Sequence, residues 1–197
     1  GWLTQERRVV VRVALQVAGG ALGILAALAW AGAPQEKAKE AKPRYVGVAN
    51  CKLCHSEAET GNQFEQWKKS KHSEALKTLS TPRAKEVGAK AGVAEPAKDA
   101  RCLRCHVTAV ELPREMKMRT FKDADAIGCE SCHGPGEFYA KEEVFKKGRE
   151  AALAAGLILP DEKLCRRCHN QESPTYKEFD FKARLELVKH PNPKKKK

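Results

Sequence analysis

All eight cysteines of this 197-residue chain fall into four pairs spaced Cys-x-x-Cys, and a histidine directly follows each pair. The units are Cys51-Lys-Leu-Cys54-His55, Cys102-Leu-Arg-Cys105-His106, Cys129-Glu-Ser-Cys132-His133 and Cys165-Arg-Arg-Cys168-His169. With so few histidines in the chain, chance would place one after all four pairs about once in a million. Two thiols three residues apart can add to the two vinyl groups on one porphyrin edge. The next residue then lies beneath the iron and supplies the proximal imidazole. Zinc sites and a disulfide framework are the competing readings of paired cysteines. Neither accounts for a histidine after every second cysteine.

Four covalent haem c groups change what the core is made of. Aromatic content is 6%, and residues 45–190 would have to house all four porphyrins, so the cofactors would supply much of the buried apolar surface. The expected fold is mainly α: a small multihaem cytochrome of short helices and loops wrapped around haems, with few or no strands and little stable apo form. The net charge of +12 would ordinarily suggest an acidic partner. Here haem propionates can absorb part of it, and no nucleic-acid motif accompanies the charge, so nucleic-acid binding is set aside.

Arg7, Arg8 and Arg12 precede an uncharged run from Val13 to Pro34 in which Gln16 is the polar residue. Its length suffices for a bilayer-spanning helix, and the basic residues before it put its start on the cytoplasmic side. Ala29-Trp-Ala31 and Ala31-Gly-Ala33 resemble a signal-peptidase site, which makes a cleaved export signal the alternative. Residues 1–34 therefore read as an anchor or signal. Both readings put the rest on the periplasmic side of the cytoplasmic membrane, either tethered by a single pass or exported and soluble. Residues 35–44 read as a polar tether, 45–190 as the tetrahaem domain and 191–197 as a basic tail.

Within the domain, Asn62 with Glu65 reads as a helix start, and the spacing of Phe64, Trp67, His72, Ala75 and Leu79 predicts one helix running to Pro82. Residues 83–100 read as a polar excursion, 137–155 as a second helix and 181–189 as a third.

Four irons have eight axial positions, of which the motif histidines fill four. His72 and His190 are the other two histidines, and each is a candidate distal ligand. Met116 and Met118 lie in a polar run and read as exposed methionines. This chain alone can thus make at most two haems bis-histidine. The other two irons are methionine-bound, ligated from elsewhere, or open.

The runs Tyr45-Val-Gly-Val-Ala-Asn-Cys51-Lys-Leu-Cys54-His55, Trp67-Lys-Lys-Ser-Lys-His72 and Gly128-Cys-Glu-Ser-Cys132-His133-Gly-Pro-Gly136 resemble the cytochrome c-554 family of tetrahaem carriers in ammonia oxidisers. The resemblance implies His72 opposite His133 on the third haem, His190 opposite His169 on the fourth, and a five-coordinate second haem on His106. The family's histidine shortly after Gly-Pro-Gly, which serves the first haem, is replaced here by Glu137-Phe-Tyr-Ala-Lys-Glu-Glu143. The place opposite His55 is then left to Tyr139, a glutamate, a partner residue or nothing.

These features favour a relay of single electrons between a donor and an acceptor redox protein, an electron carrier more than an enzyme, with membership of a larger complex open. The alternatives are a membrane-anchored quinol dehydrogenase, which reduction of the haems by a quinol analogue would mark, and an enzyme turning over a small nitrogen or oxygen species at an open haem.

Overall fold

The computed structural model describes residues 41–190 and 193. The chain divides into units of residues 1–39 and 40–197. The first unit, with the expected anchor or signal, lies outside the described residues, as does most of the basic tail. Among the described residues no helix is long and apolar enough to cross a membrane.

The described part is built from ten short helices: α1 (Val48–His55), α2 (Gln63–Lys68), α3 (Ala75–Thr78), α4 (Pro82–Lys90), α5 (Ala100–His106), α6 (Cys129–His133), α7 (Glu142–Phe145), α8 (Arg149–Ala154), α9 (Glu162–Cys165) and α10 (Phe181–Val188). Extended pairing among these residues is confined to a parallel bridge between Tyr45 and Lys117. The mainly helical expectation therefore holds.

Three expectations change. The helix predicted from Asn62 to Pro82 is broken into α2 and α3. Ser73 Oγ bonds the carbonyls of Lys68 and Ser70 at 2.9 and 2.8 Å, a local alternative to the helical ladder. Asn62 does not cap α2 through its side chain but takes a left-handed conformation, φ 43°. Pro82, expected only as a stop, is the first residue of α4, with Thr81 accepting from Ala84 N at 3.2 Å. A proline suits that position because its missing N–H would have no helical partner. The polar excursion is thus helical in its first half. The helix predicted over 137–155 is divided into α7 and α8 at Gly148, whose φ of +97° interrupts the helix. The third helix is found as α10, capped by Asp180 on Ala183 N.

Side chains alone build little core. The buried apolar residues include Val46, Val48, Leu79, Val93, Val107, Ala126, Ala152 and Phe179, and no large side chain among the described residues is wholly enclosed. So thin a side-chain core fits a fold whose apolar centre is completed by porphyrin.

Candidate functional site

Each Cys-x-x-Cys-His unit lies on a helix or its direct continuation. In α1, α5 and α6 the unit closes the helix, while α9 ends at Cys165 and the chain keeps turning, with His169 N bonding Cys165 O at 3.0 Å. Helical spacing puts residues three and four apart on one face, so both sulfurs and the imidazole of each unit project to the same side. Asp99 and Asp161 cap α5 and α9 by accepting from Arg101 N and Leu164 N at 2.9 and 2.7 Å.

The four units come together as two couples. The thiols of Cys51 and Cys129 lie close enough to perturb each other's ionisation, and α1 packs on α6, joining the first unit to the third. The thiol of Cys168 lies close enough to that of Cys105 for its ionisation to be perturbed by it, and Arg104 pairs with Glu172 at 2.7 Å, joining the second to the fourth. Burial pushes the Cys132 thiol up to about 11 and, aided by Cys105, the Cys168 thiol up to about 12. No disulfide links the cysteines. Nor do His, Cys, Asp or Glu among the described residues gather in threes as a bare metal ion would need.

Histidines meet across the couples. The rings of His72 and His169 lie 6.1 Å apart at 57°, and those of His133 and His190 lie 6.0 Å apart at 74°. Two metal–nitrogen bonds of about 2 Å, with about 1.1 Å more from each nitrogen to its ring centre, put two axial imidazoles about 6 Å apart. Both pairs meet that spacing. The partners differ from those implied by the resemblance, which set His72 against His133 and His190 against His169. The break between α2 and α3 and the turn into His190 direct these side chains to the opposite units.

Nδ1 of four histidines meets an acceptor: Gln63 Oε1 for His55 at 3.2 Å, Ala75 O for His106 at 2.6 Å, Ile158 O for His133 at 3.1 Å and Val188 O for His190 at 2.8 Å. Donation from Nδ1 selects the tautomer whose Nε2 lone pair is free for a metal. Phe179 stacks on His169, 4.6 Å apart at 15°. Burial lowers the pKa of His72, His133 and His169, favouring the neutral, ligating form. Side chains and tautomers thus fit covalent haem.

No second imidazole pairs with the ring of His55 or His106. Tyr139 donates its hydroxyl to Gly134 O at 2.9 Å, and burial raises its pKa. Glu137 is clasped by Arg44 and Glu142 by Lys146. Met116 and Met118 are half-buried rather than exposed, their backbones flanking the bridge to Tyr45.

One residue escaped the sequence reading. Glu130, an intervening residue of the third unit, is buried at 4% exposure. It accepts from Val46 N, Gly47 N and Gly136 N at 2.7, 2.8 and 2.7 Å. The glycines in Val46-Gly47 and Gly-Pro-Gly136 were the available signal, since glycine allows close backbone approach.

Residues 50–134 match the family model described as cytochrome c554 and c-prime. The chain is 29% identical over 156 residues to cytochrome c-554 of Nitrosomonas europaea, covering 68% of this chain and 61% of that protein. It therefore spans about three-fifths of the relative's length. No solved structure matches.

Proposed function

We propose that this chain, of the cytochrome c-554 family over residues 50–134, is a four-haem carrier relaying single electrons between redox proteins outside the cytoplasm. The family implies covalent haem c and electron transfer. The count of four rests on four intact Cys-x-x-Cys-His units. The carrying observation is the pair of imidazole contacts near 6 Å, His72 with His169 and His133 with His190.

Haem c, when bound, supplies the one-electron Fe(III)/Fe(II) couple. The eight cysteines would hold it and His55, His106, His133 and His169 would supply the proximal imidazoles, with the ring of His190 beside that of His133 and the ring of His72 beside that of His169. The carbonyls of Ala75, Ile158 and Val188 fix imidazole orientation and raise ligand basicity. The nearness of Cys51 to Cys129 and of Cys105 to Cys168 supports close approach of cofactor edges, which a relay needs. Exposed lysines would steer acidic redox partners into brief contacts. The basic residues ahead of the 13–34 run support export or a single-pass anchor.

Pyridine haemochrome assay and intact mass count the haems, and electron paramagnetic resonance of the oxidised holoprotein reads their ligation. Four haems, two of them bis-histidine, are expected. Fewer haems, or four bis-histidine signals from the isolated chain, would refute the reading. The lack of an imidazole facing His106 favours a second reading, small-molecule chemistry at that iron. Steady-state turnover of nitric oxide, nitrite, hydroxylamine or peroxide would establish it, while ligand binding alone would not.

A further inference from the structure

Glu130 is unusual for a carboxylate in so basic a chain. It is buried, and no Lys or Arg pairs with it among the ion pairs of the described residues. Its partners are three backbone N–H groups: Oε1 takes Val46 and Gly136, and Oε2 takes Gly47. Three N–H donors converging on its two oxygens make stronger, charge-assisted bonds to the carboxylate than to the acid, so this geometry favours the anion. Burial pushes its pKa above the ordinary carboxylate value, and the three N–H bonds reduce that rise without cancelling it.

The seat is built for this group. A Cβ at Gly136 would lie 2.8 Å from Val46 Cγ2 and 3.2 Å from Glu130 Oε1, and Gly47 has φ +85° with Phe121 Cα 2.7 Å from where its Cβ would stand. Gly47 leads into α1 and Cys51, while Glu130 directly follows Cys129. The negative charge therefore lies beside the attachment points of both members of the first couple, and Cys51 and Cys129 each feel it.

We propose that Glu130 is a fixed, unpaired negative charge that lowers the reduction potential of the two haems attached through Cys51 and Cys129, setting them apart from those on Cys102 and Cys165. The inference rests on the four-haem reading. A buried charge without a cation partner is screened little, and it stabilises ferric iron over ferrous. The first couple would then be the more reducing half of the relay.

The test compares Glu130→Gln with the native holoprotein in spectropotentiometric titrations, both first shown to carry the same number of haems. That number bears on the four-haem reading, whereas the shift between equally loaded proteins bears on Glu130. About half of the haem absorbance should become easier to reduce, with an equilibrium constant changed on the order of tenfold, or about 59 mV for one electron. The other half should stay in place. Unchanged potentials, or an equal shift of all haems, would overturn the proposal. Gln leaves Gly47 N–H facing a donor, so the variant can fail to assemble. Native protein labelled with ¹³C-glutamate then decides through its reduced-minus-oxidised infrared spectrum. A displaced carboxylate band is expected; a band from a protonated carboxyl, or no displacement, overturns it.

Discussion

Replacing His72 by alanine tests the ligand pairing most directly. On the four-haem reading, six histidines supply four proximal ligands and two distal ones, so two irons are paired with imidazole and two are not. Removing His72 leaves His190 as the one distal imidazole, so that three irons instead of two lack one, and with both of the others open to ligand the open irons rise from two to three. Carbon monoxide uptake by the reduced holoprotein should rise about 1.5-fold, and the bis-histidine resonance of the oxidised form should fall to about half. The ring angles add a sharper discriminant. Axial rings nearer perpendicular leave the iron d orbitals more nearly degenerate and give a larger g anisotropy. His133 and His190 cross at 74°, His72 and His169 at 57°. His72→Ala should therefore remove the less anisotropic low-spin signal, and His190→Ala the more anisotropic one. Unchanged carbon monoxide uptake in His72→Ala would refute the ligand role. Loss of the more anisotropic signal would refute the pairing.

Gly47→Ala places a Cβ 2.7 Å from Phe121 Cα and Thr120 O on a backbone at φ +85°; holoprotein stability should fall by about 2–4 kcal/mol in urea titrations. Thr108→Val strands the Gly128 N–H that Thr108 Oγ1 accepts at 2.8 Å, a cost of about 1–3 kcal/mol readable as a lowered urea midpoint. The Arg44 guanidinium holds the Glu137 carboxyl below its ordinary pKa. The unfolded chain therefore binds the proton more readily, and the stabilisation is present above pH 4.5 and lost as pH falls through the depressed value. Acid unfolding of Glu137→Gln should lack this component, so its stability relative to native should improve toward low pH.

The haem reading is local chemistry. Sulfurs at i and i+3 and an imidazole at i+4 share a helical face wherever the segment is placed, so the four units were legible without any tertiary contact. The same holds for α10, read over 181–189 and stopped by the proline after His190, although its Asp180 cap was not read. Other elements were misread where side chains bonding the nearby backbone outweighed periodicity: Ser73 interrupts the helix expected through His72, and Thr81 makes Pro82 a beginning rather than an end.

Sequence by itself determined the four Cys-x-x-Cys-His units, the supply of six imidazoles and, on the four-haem reading, the limit of two bis-histidine sites, because these are matters of spacing and count. Tertiary structure alone decided which imidazole meets which: His72 with His169, nearly a hundred positions away, and His190 with His133. It also decided that Glu130 turns inward onto Val46, Gly47 and Gly136 while Lys52 and Leu53, the corresponding residues of the first unit, are exposed. Such choices depend on how distant segments close on one another, and no local pattern encodes that closure.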